Sequence, residues 1–293
     1  MFVKLVDIFI CELYFKTLGI LFRRQLVCYV MEKKMSRTGL FDSHAHINDE
    51  AFDADRDELV TQLGLEIDGF RDLGCDAVSS AAAVALAEKY PFVYAGVGWH
   101  PENLKGIPGD YLDQLAQWAV HPKVVAIGEI GLDYYWEENE PKEIQKKIFL
   151  EQIDLAKQFD LPIIIHDRDA HGDMLELFQK EVKGVQAVFH CYAGSVEMAK
   201  ELVRRGYYFG FGGTSTYKNA NKVREVMKYI PKELMLFETD CPYLSPVPMR
   251  GKRNNPGYVE YTARNAAEVL GVEFEELAAQ TTANCKRLFK KIR

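Results

Sequence analysis

Beyond residue 39 the hydrophobic positions fall in short runs bounded by turn residues, separated by longer segments of helical periodicity. The runs at 40–44, 67–73, 92–98, 124–129, 162–166, 186–190, 207–211 and 234–238 read as strands. Short apolar runs bounded by turn signals, with helical patterns between them, argue for a parallel sheet with crossover helices. The segments 55–65, 78–90, 111–120, 141–159, 172–182, 195–205 and 222–229 read as the helices between them, and two more close the chain at 256–270 and 274–290. In the longest, 141–159, Ile144, Ile148, Glu151/Gln152 and Leu155 share one stripe. Eight strands, each followed by helix, is the count of an α/β fold of the (β/α)8 TIM-barrel kind. The second strand is the weak one. Asp68, Arg71 and Asp72 put three charges where a covered strand should be apolar, so it is either short and distorted or locally aberrant.

The first 34 residues are of a different kind: apolar, but interrupted by Lys4, Asp7, Glu12, Lys16, Arg23 and Arg24. No stretch there reaches the roughly 18 uninterrupted apolar residues of a membrane span. An interfacial helix, a helix packed on the domain, and a translated upstream stretch with the working start at Met35 all fit, and the lack of caps and turns favours the last. On that reading 35–293 is a single barrel domain, close to the roughly 250 residues such a fold needs.

Composition narrows the class. With 48% hydrophobic and 27% charged residues the chain is an ordinary globular one rather than disordered or fibrous. Its 36 basic and 43 acidic side chains give a net charge of −7. Residues 1–38 hold seven basic and three acidic side chains, net +4, which leaves −11 for 39–293. No broad basic surface can draw in a polyanion, so such a substrate would need metal or a local basic patch. The six cysteines form no C-x-x-C pair and no secretory segment precedes them, which points to reduced thiols in the cytoplasm. Cys191 and Cys241, beside His190 and Asp240, read as small buried hydrophobes.

Polar residues gather where the strands end, which in a barrel is where catalytic groups sit. Five of the seven histidines are there: His44, His46, His100, His166 and His190. His44 and His46 are two apart on a strand, so both rings face one way and can chelate one ion. Glu129 ends a buried run, where a carboxylate is costly unless paired or metal-bound, and its two oxygens could bridge two cations. His166 and His190 are each the first polar group after an apolar run. Asp240 is expected to be both ligand and proton acceptor from the attacking water, with Glu238 orienting a histidine behind it.

The segments Phe41-Asp-Ser-His-Ala-His46, Gly96-Val-Gly-Trp-His-Pro-Glu102, Ala126-Ile-Gly-Glu-Ile-Gly-Leu-Asp-Tyr134, Leu161-Pro-Ile-Ile-Ile-His-Asp-Arg-Asp-Ala170, His190-Cys-Tyr-Ala-Gly-Ser195, Glu238-Thr-Asp-Cys-Pro-Tyr-Leu244 and Arg250-Gly-Lys-Arg-Asn-Asn-Pro256 resemble, in order, the motifs of the TatD family of metal-dependent deoxyribonucleases. The resemblance implies a TIM barrel of the metallo-dependent hydrolase type that cleaves DNA phosphodiesters with two divalent ions. It implies one ion on His44, His46, Glu129 and Asp240, a second on Glu129, His166 and His190, and His100 on the substrate side. Asn255, where an acidic residue is common, Ala193, where serine is frequent, the charged second strand and the 34-residue extension depart from the family pattern; none removes a ligand.

The expected reaction is hydrolysis of DNA from the 3′ ends of single strands, with Asp240, Glu129 and His100 catalytic. Arg168, Arg250, Lys252 and Arg253 would grip neighbouring phosphates. Trp99, Tyr134, Tyr135 and Trp136 lie in loops at the same face and offer rings for base stacking. The donor types admit zinc, manganese or magnesium. Two alternatives stay open: a binuclear barrel hydrolase of a small amide, ester or phosphotriester, and an idle barrel used only for binding. No stable protein partner is implied.

Overall fold

Eight strands alternate with helices in the computed structural model, which describes residues 39–292. The extension 1–34 and the start at Met35 lie outside the described residues. The strands are β1 (Phe41–Ala45), β2 (Gly69–Leu73), β3 (Val93–Val97), β4 (Val124–Asp133), β5 (Ile163–Arg168), β6 (Ala187–Phe189), β7 (Tyr208–Phe211) and β8 (Met235–Phe237). They pair in sequence order, each parallel to the next. The ring closes just past β8: a parallel bridge joins Ala45 to Cys241, His46 N donates to Cys241 O (2.8 Å), and Asp240 N donates to His44 O (2.9 Å). The fold is a (β/α)8 barrel.

The helices are α1 (Arg56–Glu66), α2 (Ala77–Lys89), α3 (Tyr111–Ala119), α4 (Lys142–Gln158), α5 (His171–Lys180), α6 (Val196–Arg204), α7 (Asn221–Tyr229), α8 (Val259–Leu270) and α9 (Phe274–Leu288). Several start where local chemistry dictates. Asp76 accepts from Ser79 N while the Ser79 hydroxyl bonds back, a reciprocal cap that opens α2, and the Ser195 hydroxyl caps α6. Alternate strand residues divide between two cores. One lies between strands and helices; the other is inside the barrel, where Leu73, Tyr94, Ile164, Val188 and Leu236 meet Leu288, Phe289 and Ile292 from the end of the chain.

One expectation needs correcting. The buried face of α4 passes through Gln145, Ile148, Gln152 and Leu155, while Ile144 is exposed. The second strand is short and fully buried; Phe70 to Leu73 pair in step with Val93 to Gly96, while the register against β1 shifts between Asp42 and Ala45. Its charges have tertiary work. Asp72 accepts from Ile47 N (2.5 Å) and Asn48 Nδ2 (3.1 Å), fixing the loop that leaves β1. Arg71 lies in the barrel interior with its guanidinium 3.7 Å from the centre of the Phe289 ring and a hydrogen bond to Ser43 O. Burial lowers its pKa to about 10.

Candidate metal centre

The mouth of the barrel collects side chains from six strands. His44 lies in β1 and His46 just after it, His100 follows β3, His166 lies in β5, His190 follows β6 and Asp240 comes shortly after β8. Glu129 lies within β4 rather than at its end, because this strand continues to Asp133. Asp42 sets the join between β1 and the segment after β8: its carboxylate accepts from His44 N (3.2 Å), Thr239 N (2.9 Å) and the Thr239 hydroxyl (2.5 Å). That brace brings His44 against Asp240. Between β4 and β5, Gly131 pairs with His166, and a Cβ on it would sit 1.9 Å from the His166 carbonyl oxygen. Only glycine lets the strands approach this closely.

Glu129 stands at the centre with its two oxygens turned to different neighbours. Oε2 is 3.1 Å from His44 Nε2 and 3.4 Å from His46 Nε2, and Asp240 Oδ1 completes that group at 3.6 and 3.5 Å from the same nitrogens. Oε1 is 2.9 Å from His166 Nδ1, 2.7 Å from His190 Nε2 and 3.4 Å from His100 Nε2. His44, Glu129 and His190 are buried, and the rings of His44 and His190 stack at 4.0 Å.

Hydrogen bonds on the far side of each ring decide which nitrogen offers a lone pair. His46 Nδ1 lies 3.1 Å from the Leu73 carbonyl and must donate to it, which leaves Nε2 as a bare acceptor facing Glu129. His166 Nε2 lies 2.9 Å from Asp133 Oδ2, so its Nδ1 points unprotonated at the centre in the neutral ring. His100 is opposite in sense. Its Nδ1 accepts from Glu102 N (3.2 Å), so the neutral ring carries its proton on Nε2, toward Glu129 and the cavity. His100 is thereby built as a donor rather than a ligand.

Without metal the site is electrostatically awkward. His44 Nε2 and His46 Nε2 are 3.1 Å apart, and the buried Nδ1 atoms of His44 and His190 have no hydrogen-bond partner. Burial, with His190 beside it, lowers the His44 pKa to about 3. His166 goes the other way: against the pull of burial, its bonds to Asp133 and Glu129 raise it to about 10. Glu129 is held well below the usual carboxylate range despite burial, by His190, His100 and His44. Asp240 is likewise lowered against its burial, chiefly by His46. Convergent nitrogens and carboxylate oxygens this close, with two buried imidazole nitrogens left unpartnered, are what divalent cations satisfy, so the residues fit such ions.

Similarity to known proteins points the same way. A family model described as TatD related DNase matches residues 41–290. The chain belongs to the TatD family. It is 45% identical to the metal-dependent hydrolase YabD of Bacillus subtilis over 253 residues, which are 86% of this chain and 99% of YabD. It is 33% identical to the 3'-5' ssDNA/RNA exonuclease TatD of Citrobacter koseri over 257 residues, 85% of this chain and 98% of that protein. The crystal structure of the TatD homologue YJJV from Escherichia coli superposes with a TM-score of 0.80 at 31% identity, covering 86% of this chain and 98% of the other. As a TatD-family protein the chain is a metal-dependent hydrolase.

The residues expected to hold substrate divide. His100 and Arg168 line a cavity of about 750 Å³ over the centre, together with Trp136 and Tyr243. Arg250, Lys252 and Arg253 do not line it. Arg253 is paired with Asp55 (2.5 Å) and lies over the Phe52 ring, and Arg250 lies 4.3 Å from the centre of the Tyr217 ring. Trp99 is buried and donates to Asn103 O (3.0 Å), and Tyr134 donates to Asp173 (2.8 Å), so both serve packing. Asn255 caps the short turn Pro256–Tyr258 by accepting from Gly257 N (3.0 Å). Glu238 Oε1 is 3.8 Å from His190 Nδ1 and accepts instead from Cys191 N.

Three residues escaped the sequence reading. Asp133 anchors His166. Gln145 clamps both backbone groups of Asp133 (2.8 and 2.9 Å), and Gln152 does the same for Trp99 (2.7 and 3.1 Å), next to His100. Their one visible signal is a pair of amides seven apart on an apolar helix face. Cys75 and Cys191 also border the centre rather than the core, with Sγ 3.9 Å from His46 Nδ1 and 4.0 Å from Asp240 Oδ2.

Proposed function

We propose that the chain hydrolyses phosphodiester bonds of DNA from the 3′ ends of single strands, using two divalent cations at the Glu129 centre. The observation that carries this reading is the division of Glu129, one oxygen among His44, His46 and Asp240 and the other among His166 and His190. Those two groups would hold one ion each, sharing the carboxylate, and zinc, manganese and magnesium all suit the donors. Such ions polarise a phosphoryl group and acidify water. Asp240, kept ionised, accepts the proton of the attacking water. His100 donates from Nε2 to the phosphoryl oxygen or the leaving 3′ oxygen. Arg168 meets the neighbouring phosphate from the cavity wall. The Citrobacter relative's name, a single-strand exonuclease, supports the substrate class. Free Cys75, Cys191, Cys241 and Cys285 suit a reducing cytoplasm.

A second reading, hydrolysis of a small amide, ester or phosphotriester, draws on the acidic barrel and on the basic 250–253 loop lying off the cavity. Labelled single-stranded DNA, with and without chelator, separates the two when run beside a panel of amides, lactones and phosphotriesters. Chelator-sensitive release of nucleotides is expected. Turnover of the panel with none of DNA would overturn the nuclease reading.

A further inference from the structure

We infer that Trp136, braced by Tyr135 and Arg168, is a stacking platform that holds an unpaired nucleobase beside the metal centre. The inference rests on the nucleic-acid reading above and adds a binding determinant to it. Of the four loop aromatics, Tyr135 and Trp136 alone are exposed, at 49% and 42%. They meet edge to face at 4.7 Å. The Arg168 guanidinium lies over the Tyr135 ring, 3.8 Å from its centre, and 5.5 Å from that of Trp136. One face of Tyr135 is therefore covered, and Trp136 is the ring of this pair that borders the cavity with His166, His190 and Glu129.

The platform is fixed to the centre. Arg168 is two residues beyond His166 on β5 and pairs with Asp133 of β4, while Tyr134 N donates to Arg168 O (2.9 Å). The loop that carries Trp136 leaves β4 three residues before it and is tied to β5 at Arg168, so a base on the indole lies beside the donors of that strand pair. Charge decides what the platform can hold. Glu137 and Glu138 follow Trp136 on a barrel of net −11, so phosphate attraction is weak here and ring contact must supply binding. A planar base meets that need whatever its identity, and only an unpaired strand presents its face.

The test is binding of a short oligothymidylate, in chelator so that nothing is cleaved, read by tryptophan fluorescence quenching and by anisotropy of a labelled strand. Wild-type protein should be quenched. Trp136→Ala should lose most of the quenching and bind about 5- to 50-fold more weakly, Trp136→Phe should recover much of the affinity, and a strand with an abasic 3′-terminal residue should bind wild type and Trp136→Ala alike. Trp136 is exposed, so an unchanged Tm is expected and confirms folding. Equal affinity of wild type and Trp136→Ala for the intact strand would overturn the inference, whether or not the protein cleaves DNA. Tryptophan-dependent binding without metal-dependent cleavage would uphold the platform and refute the nuclease reading. Absence of binding by wild type would refute the platform, and metal-dependent cleavage by the same protein after the metal is restored would still uphold the nuclease reading.

Discussion

Asp133→Asn isolates the least visible part of the centre. The Asp133 carboxylate is fully buried, with Oδ2 2.9 Å from His166 Nε2 and Oδ1 accepting from Tyr135 N at 3.0 Å. Asparagine keeps the shape and one acceptor oxygen but removes the charge that polarises the imidazole and fixes its tautomer. Loss of such an outer partner costs about 10- to 100-fold in metal affinity, or about 1.4–2.7 kcal/mol. A second effect opposes it. In the metal-free protein Asp133 also helps raise the His166 pKa to about 10, so at pH 7 a bound proton competes with the ion. Removing Asp133 weakens that competitor, and the observed loss at pH 7 should fall near the lower end, about tenfold. Competition recedes as pH rises toward the His166 pKa, so the loss should be larger at pH 9. Chelator competition titrations of wild type and Asp133→Asn at both pH values measure it. Equal affinities at both, or a loss greater at pH 7 than at pH 9, would refute the assignment of His166 Nδ1 as the donor.

Three further outcomes follow from the same geometry. Gly131→Ala would drive a Cβ to 1.9 Å from the His166 carbonyl, so β4 and β5 must part; denaturant melts should show a loss of about 3 kcal/mol or more. His100→Ala should reduce kcat about 10²- to 10⁴-fold while leaving the number of bound ions unchanged, because its inward nitrogen carries a proton. The metal-free protein should lose stability with rising pH: a raised histidine stabilises fully below its unfolded pKa of about 6.5, and that contribution disappears as pH climbs through about 10. Urea midpoints at pH 6, 8 and 10 should fall in that order, and fall less in Asp133→Asn.

The strands and the histidine cluster were legible because each ligand-type residue is the first polar group after, or an isolated one within, an apolar run. A polar side chain there has few bland explanations. What stayed hidden depends on partners far along the chain. Arg71 and Asp72 look like faults in a strand until Phe289, Ser43 and Ile47 are brought beside them. Arg253 looks like a phosphate grip, but it faces Asp55. An apolar run that stops at Glu129 gives no reason to pair Asp133 with His166; four more residues of strand carry it into register beside β5. Gln145 and Gln152 occupy core positions on α4, where polarity alone does not tell which backbone they clamp.

Glu129 is the carboxylate that two cations would share. Crystals soaked in manganese, with anomalous scattering collected at the metal edge, test that most directly. Two peaks are predicted, one among His44, His46 and Asp240 and one between His166 and His190, with Glu129 touching both. A single peak, or two that both survive in Glu129→Ala, would contradict it.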